Sequence, residues 1–214
     1  MKLYAHPFSS YCQKVLIALY ENATPFEYRN LEDASANAEL VSLWPLKRFP
    51  VLADDGRTIL ETTTIIEHLQ IHHPGAVRLI PAGDAGVEVR MLDRIFDNYV
   101  MTPMQKIVLD KIRPEADRDA YGVTEARGFL DKIYAWLDAR LAGRTWATGD
   151  GFTLADCAAA PSLFYADWAH EIAPVHANLR AYRARLMARA SVVRVVNEAR
   201  PFRKYFPLGA PDRD

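Results

Sequence analysis

The sequence has too few cysteines to be built around disulfides: Cys12 and Cys157 are the only two in 214 residues. This fits a reducing compartment such as the cytoplasm. No apolar run reaches about 18 residues, so no membrane-spanning helix is expected. The segment after Met1 is too short and too polar-flanked to predict a signal peptide. Internal repeats and low-complexity segments are also missing, and we expect a globular cytoplasmic protein.

Net charge is nearly absent, at −1, from 26 basic and 27 acidic residues. This balance points to neither nucleic acid nor an anionic membrane as a partner. The basic residues are unevenly distributed along the chain, because the segment from Arg180 to Lys204 contains eight Lys or Arg and a single acidic residue, Glu198. We interpret this segment as a solvated helical face. Half of all residues are hydrophobic, which is enough for a substantial core.

Strand and helix patterns alternate over the first 80 residues, in the order βαβαββα. Apolar residues spaced i, i+3, i+4 and i+7 predict the first helix, which contains Cys12 and ends near Asn22. The turn Asp54-Asp55-Gly56 between two apolar runs predicts a β-hairpin. His73-Pro74-Gly75 ends the third helix. The pattern therefore predicts a small α/β domain over residues 1–78.

From Val87 onward only helical patterns remain, so residues 87–214 are predicted to form an all-helical bundle. Residues 79–86 are predicted as a linker, because Pro81-Ala82-Gly83-Asp84 is typical of one. The first long helix is expected to bend at Thr102-Pro103. Thr153-Leu154-Ala155-Asp156 has the spacing of a capping box, which is a folding device with no chemical role.

The stretch HPFSSYCQKV offers three candidate groups at one helix start. A capping box needs Ser or Thr followed three residues later by Glu or Gln, and Ser10 with Gln13 has that spacing. We therefore expect Ser10 to be the N-cap. Cys12 shares the apolar face of the helix and is expected in the core. This leaves Ser9 with a free hydroxyl just outside the helix N-terminus, where negative charge is favoured.

The setting of Ser9 is thioredoxin-like: a strand, a Ser-x-x-Cys helix start, and later an apolar strand preceded by Phe49-Pro50. Thioredoxins carry Cys-x-x-Cys at this helix start. A serine there cannot form the disulfide. It can donate a hydrogen bond to the thiolate of another molecule and lower the pKa of that thiol from about 8.5 toward neutrality.

Three motifs together resemble the cytosolic glutathione S-transferases. Residues 9–15, SSYCQKV, are similar to the catalytic-serine start of the theta and zeta classes. Residues 44–52, WPLKRFPVL, are similar to the family's N-P-x-x-x-V-P-x-L, with Trp44 in place of Asn. Residues 61–66, ETTTII, are similar to E-S-x-A-I, with Thr62 in place of Ser. The resemblance covers nearly the whole chain and implies a thioredoxin-like N-terminal domain followed by a helical one.

The resemblance implies a glutathione site. Ser9 is expected to hydrogen-bond the sulfur of glutathione. Phe49 is expected to pair its backbone with the cysteinyl part, and Pro50 to follow a cis peptide bond. Glu61 and Thr62 are expected to hold the γ-glutamyl end, at a helix start that suits its carboxylate. The glycine carboxylate is assigned to either Lys47 or Arg48.

A hydrophobic second-substrate site is expected where the helical domain faces this cleft. The expected residues are Tyr99, Met104, Gln105, Val108, Phe164 and Tyr165. Glutathione is expected as co-substrate, without a metal, since His72-His73 is a weak ligand pair. The resemblance also implies a homodimer with a role in detoxification.

The sequence leaves several activities open. The leading interpretation is conjugation of glutathione to a small hydrophobic electrophile. Isomerase, dehalogenase and peroxidase activities are alternatives on the same fold. A non-catalytic transferase-like interaction protein is an alternative of another class, and the intact Ser9 and Glu61-Thr62 count against it. A glutaredoxin-like enzyme that uses Cys12 is disfavoured by the core-facing position of that residue.

Overall fold

The computed structural model describes all 214 residues. Its four strands form one sheet: β1 (Lys2–Ala5), β2 (Glu27–Asn30), β3 (Val51–Asp54) and β4 (Arg57–Ile59). The strand order is β2-β1-β3-β4, with β1 parallel to β2 and antiparallel to β3. Three helices complete the unit: α1 (Ser10–Glu21), α2 (Ala34–Leu43) and α3 (Thr62–His72). The predicted order βαβαββα is confirmed.

The hairpin between β3 and β4 forms at the predicted turn. Asp55 and Gly56 both have positive φ angles, 47° and 74°, which is the requirement of a type I′ turn. In the sheet, Leu3 lies opposite Leu52 on one side and Tyr28 on the other. Leu3 and Leu52 are fully buried, so the centre of the sheet forms part of the core.

The second half is helical, as predicted. Its helices are α4 (Gly83–Ile95), α5 (Thr102–Ile112), α6 (Ala120–Leu141), α7 (Leu154–Ala169), α8 (Ala177–Met187) and α9 (Ala190–Ala199). Because α4 begins at Gly83, the predicted linker 79–86 is helical over its last four residues. None of the helices combines the length and apolar character needed to cross a bilayer.

A π-helical segment, Phe96–Met101, joins α4 to α5 and ends directly before Thr102-Pro103, where the sequence predicts a bend. Pro103 lies in the first turn of α5, and it has no N–H to donate to the preceding turn. Segments of π-helix are frequent at functional sites, and this one lies beside the cleft described below.

Helix α7 is the centre of the molecule, since all of its residues are buried. Its predicted capping box is present: the Thr153 N–H donates to Asp156 Oδ2 at 2.8 Å. Asp156 also accepts from the Ala147 N–H at 2.9 Å and the Tyr182 hydroxyl at 2.6 Å. These contacts tie α7 to α8 and to the preceding loop, which confirms a folding role.

Candidate active site

A cleft of about 810 Å³ lies between the sheet domain and the helical domain. It is bounded by the start of α1, the loop before β3, the start of α3, the α4–α5 segment and the C-terminal tail. Most of the predicted site residues line it: Ser9, Lys47, Arg48, Phe49, Pro50, Glu61, Thr62, Met104, Gln105, Val108 and Tyr165. The structure thus brings together residues that are up to 156 positions apart in the chain.

Tyr99 and Phe164, both predicted for the second-substrate site, do not line this cleft. Tyr99 is 48% exposed and stacks on Phe129 with ring centroids 6.5 Å apart. Phe164 is buried, and its ring centroid lies 4.5 Å from that of Trp168. In each case a neighbour takes the cleft position, Asn98 for Tyr99 and Tyr165 for Phe164. Adjacent helical residues point about 100° apart, and the sequence alone did not fix which one faces inward.

Ser9, and not Ser10, is the N-cap of α1. Ser9 has extended backbone angles, and its Oγ accepts from the Cys12 N–H at 3.4 Å. Ser10 is already the first helical residue and is 7% exposed. The predicted capping box fails because the Gln13 side chain does not return to the cap. It donates instead to the Pro7 carbonyl at 2.9 Å and to the Tyr165 hydroxyl at 3.0 Å.

The capping role of Ser9 leaves its hydroxyl proton available. In the cap the Oγ atom is an acceptor, and a hydroxyl has one further O–H to donate. Ser9 also lines the cleft at the positive end of α1. A bound thiolate at this position therefore meets a donor and a favourable dipole.

Cys12 is a core residue, as predicted. It is fully buried, and its Sγ accepts from the His6 N–H at 3.4 Å. Burial raises the pKa of the Cys12 thiol to about 12, which keeps it protonated at neutral pH. A nucleophilic cysteine needs a thiolate, so the glutaredoxin-like alternative has no support in this geometry.

Tyr165 fixes the loop that carries Ser9. Its hydroxyl donates to the Phe8 carbonyl at 2.9 Å and accepts from Gln13. The Phe8 and Tyr165 rings meet edge to face at 5.4 Å. Because the hydroxyl is already committed on both sides, Tyr165 offers the cleft an aromatic surface and holds the Ser9 loop against α7.

The start of α3 forms another wall of the cleft. The first intrahelical bond of α3 runs from the Ile65 N–H to the Glu61 carbonyl at 2.9 Å. The preceding N–H groups of the first turn have no acceptor within the helix, and this arrangement suits an anion. Glu61 has φ 65° and ψ 126°, an uncommon conformation for a residue with a side chain. Strained backbone of this kind concentrates at ligand sites.

The loop before β3 supplies the third wall. The Phe49–Pro50 peptide bond is cis, as predicted. Lys47 and Arg48 are exposed at the mouth of the cleft, where they provide positive charge for a carboxylate. Lys47 also has a positive φ, 53°, and its N–H donates to the Trp44 carbonyl at 2.9 Å.

A buried ionic cluster beside the cleft was missed by the sequence analysis. Lys14 of α1 pairs with Asp93 and, at 2.8 Å, with Asp97. Thr63 donates to Asp93 at 2.6 Å, and Arg94 pairs with both acids. Lys14 and Asp93 are at most 1% exposed. The cluster joins α1 and the first turn of α3 to α4, so it fixes how the two domains meet at the site.

Other cleft residues were also missed. Tyr11, which directly follows the two serines, lines the cleft, and burial, reinforced by Asp97, raises the pKa of its phenol to about 12. The remaining missed residues are Phe8, Ser10, Trp44, Leu60, Arg94, Asp97, Asn98, Leu109, Ile112, Tyr205, Phe206 and Pro207. The tail residues 205–207 had no sequence signal, whereas Leu109 and Ile112 continue the helical spacing of Gln105 and Val108.

Two family models match the chain. The glutathione S-transferase N-terminal domain matches residues 3–76, and the glutathione S-transferase C-terminal domain matches residues 120–185. The two matches together cover more than half of the chain and correspond to the two halves of the fold. The chain belongs to the glutathione S-transferase family.

Several glutathione S-transferase relatives and one solved structure are similar to this chain over most of its length. Glutathione S-transferase hmp2 of Hypomyces subiculosus is 25% identical over 215 residues, covering 94% of this chain and 99% of that protein. A Stringent starvation protein A homolog of Coxiella burnetii is 28% identical over 166 residues, covering 77% and 75%. A glutathione S-transferase structure from Methylobacterium radiotolerans, in complex with glutathione sulfonate, is 27% identical with a TM-score of 0.77, covering 91% and 93%.

Proposed function

We propose that this transferase conjugates glutathione to a small hydrophobic electrophile, with the glutathione thiolate stabilised by Ser9. The observation that carries the proposal is the position of Ser9, which lies at the N-terminus of α1 and lines the same cleft as Glu61 and Thr62. The Methylobacterium radiotolerans transferase was solved with a glutathione derivative, and this supports glutathione as the ligand of the cleft.

In the proposed reaction, the Ser9 O–H donates a hydrogen bond to the glutathione sulfur and favours its ionised form. The thiol proton leaves to solvent. The thiolate then attacks the electrophilic carbon of the second substrate and forms a C–S bond. Either a leaving group departs with the electron pair, or the pair is protonated after addition. Ser9 acts only through its hydrogen bond, and no covalent intermediate forms on the protein.

The rest of glutathione is assigned to the walls of the cleft. The first turn of α3, at Thr62, suits the γ-glutamyl carboxylate, and Glu61 suits the ammonium group. The Phe49 backbone, held by the bond to Pro50, suits strand-like pairing with the cysteinyl part. Lys47 and Arg48 offer positive charge to the glycine carboxylate. Each group of the tripeptide thus has a partner of complementary charge or hydrogen-bonding type.

The electrophile is assigned to the apolar side of the cleft, on α5 and the C-terminal tail. Met104, Val108, Leu109 and Ile112 line this side, and Leu109 and Ile112 are 57% and 63% exposed. An apolar surface open to solvent suits a hydrophobic second substrate. Gln105 and Asn98 add polar contacts beside it.

We also propose that the protein is a homodimer. The core of the single chain buries Leu92, Phe96 and Val100. On the neighbouring helix face, Val87 and Met91 remain 65% and 45% exposed. An apolar helix face left open in this way favours a partner chain. Sedimentation at micromolar concentration tests this point, and a mass near one chain, unchanged by glutathione, contradicts it.

Retention on immobilised glutathione, followed by turnover with a panel of electrophiles, tests the proposed activity. Calorimetry with Glu61→Gln tests the site, and we expect weaker glutathione binding with the fold intact. Unchanged affinity contradicts the assignment of Glu61. Because one relative is named a Stringent starvation protein A homolog, a non-catalytic interaction protein is the second candidate. Glutathione binding without turnover of any electrophile favours that candidate.

A further inference from the structure

A cluster of two histidines and one aspartate lies outside the cleft. Asp54 is the last residue of β3, His68 lies on α3, and His73 directly follows α3. His68 Nε2 is 2.9 Å and His73 Nε2 is 2.6 Å from the same oxygen, Asp54 Oδ2. The proposed glutathione transfer uses none of these three side chains.

The donor atoms of the cluster suit a borderline-soft divalent ion. The two imidazole nitrogens and the carboxylate oxygen lie within 4.8 Å of one another. Nitrogen and carboxylate donors are the usual ligands of Zn²⁺, whereas Mg²⁺ and Ca²⁺ prefer oxygen alone. The side chains of His68 and Asp54 are 10% exposed and that of His73 is 34% exposed. The cluster is thus largely fixed on one side and open to solvent on the other.

We propose that Asp54, His68 and His73 bind one Zn²⁺ ion, with water completing the coordination. In a tetrahedral site with bond lengths of about 2.0–2.1 Å, the donor atoms are about 3.3 Å apart. Asp54 Oδ2 is 2.6 Å from His73 Nε2 and 2.9 Å from His68 Nε2, so both separations need to widen by less than 1 Å, and the two imidazole nitrogens lie within 4.8 Å of each other. Small rotations of the partly exposed His73 ring and of the Asp54 carboxylate provide these changes. Each imidazole presents its Nε2 lone pair to the ion and carries its proton on Nδ1.

Neighbouring charges act on the ion in opposite directions. The Asp54 carboxylate attracts it, and the Met1 amine, 3.9 Å from Asp54 Oδ1, opposes it. The His72 ring is tilted against the His68 ring, with ring centroids 4.4 Å apart, and Arg57 Nη1 lies 3.3 Å from His72 Nε2. The Met1 amine is therefore expected to weaken Zn²⁺ binding. The bound ion links the end of β3 to the end of α3, and it stabilises the folded state because the unfolded chain lacks the assembled site.

The test uses the full chain without a histidine tag. The protein is treated with a chelator to remove bound metal, and the chelator is then removed. Calorimetric titration with ZnCl₂ is expected to show one ion per chain, and the thermal midpoint is expected to rise with Zn²⁺ but not with Mg²⁺. His73→Gln removes an exposed ligand and is expected to weaken Zn²⁺ binding at least about tenfold, since even loss of a supporting group around a metal costs about 10–100-fold. Asp54→Asn is the second variant.

His170→Gln is the matched control. His170 also pairs with a carboxylate, Asp131 at 2.7 Å, but without a second histidine on that carboxylate. This variant is expected to bind Zn²⁺ like the parent protein. Absence of Zn²⁺ binding by the parent, or equal affinity of His73→Gln and His170→Gln, overturns the proposal. In that case the three side chains are a hydrogen-bonded cluster only. Neither result bears on glutathione binding at the cleft, so the two proposals fail separately.

Discussion

Lys14→Met tests the buried ionic cluster that joins the two domains. The Lys14 ammonium contacts Asp93, Asp97 and, at 3.4 Å, the Thr63 hydroxyl. Methionine keeps most of the side-chain volume and removes the charge. Asp93 and Asp97 then remain in the interior with Arg94 as their remaining cationic partner, and the Arg94 side chain is 47% exposed.

The expected loss is large because an uncompensated charge stays buried. Removing one partner of a buried ion pair costs about 3–5 kcal/mol, a substantial part of the roughly 5–15 kcal/mol that holds a typical domain folded. For a chain of this size, each 1 kcal/mol lowers the thermal midpoint by roughly 2–4 °C. Lys14→Met is therefore expected to lower it by roughly 6–20 °C.

The loss is also expected to depend on pH. Burial raises the pKa of Asp97, and Lys14 opposes that rise. Without Lys14 the Asp97 pKa rises further. A carboxyl group with a raised folded-state pKa favours the folded state at low pH and loses that contribution as the pH rises through it. The penalty of Lys14→Met is thus expected to be greatest near neutral pH and smaller in acid.

Urea unfolding followed by tryptophan fluorescence measures this penalty. Lys106→Met is the matched control, because Lys106 pairs with Glu125 at 3.0 Å on the surface, where such a pair contributes at most about 1 kcal/mol. Equal losses for Lys14→Met and Lys106→Met, or a Lys14→Met penalty that grows in acid, refute the reasoning about the cluster.

Two further predictions concern the Ser9 loop and the cysteines. Tyr165→Phe removes the hydroxyl that holds Phe8 and Gln13; we expect lower turnover and about 1 kcal/mol lower stability, and unchanged kinetics contradict this positioning role. Cys12 and Cys157 are buried with raised thiol pKa values. We expect both to resist alkylation at neutral pH until the chain is unfolded by urea, and rapid labelling of the native protein contradicts the core assignment.

The order of elements was predictable because it depends on local patterns. Alternating and helical spacing located the sheet and helices, and the Asp55-Gly56 turn fixed the hairpin. The N-cap of α1 was not predictable in the same way. Ser10 with Gln13 has the spacing of a capping box, but a tertiary contact, the hydroxyl of Tyr165, takes the Gln13 amide. Contacts across 152 positions have no local signature.

The residues that line the cleft show the same difference between what local sequence patterns predict and what tertiary packing decides. Motif resemblance located the residues from the sheet domain, where Ser9, Pro50, Glu61 and Thr62 all reach the cleft. On the helical side, four of the six predicted residues line the cleft, whereas Tyr99 and Phe164 lie outside it. Which face of a helix points into the cleft depends on how the helix packs against other helices. The π-helical segment Phe96–Met101, which contains Tyr99, also changes the angular spacing of its residues from that of an α-helix.

The central claim is that Ser9 stabilises the glutathione thiolate, and the pKa of the protein-bound glutathione thiol tests it most directly. The ultraviolet absorbance of the thiolate across a pH series measures this pKa. We expect a bound value below the free thiol value of about 8.5. Ser9→Ala is expected to raise it by about 1–2 units, because a hydrogen bond to a charged group contributes about 1.5–3 kcal/mol. Ser9→Ala also removes the cap of α1, at a cost of about 0.5–2 kcal/mol in stability, but this loss does not change a pKa measured on folded protein.

Ser10→Ala, Cys12→Ala and Tyr11→Phe are the controls for this measurement, because each removes a polar group next to Ser9 and leaves the Ser9 hydroxyl in place. We predict that these three variants keep the low thiol pKa and that Ser9→Ala alone loses it. An unchanged pKa in folded Ser9→Ala, or a raised pKa in any of the three control variants, contradicts the assignment of the thiolate to Ser9.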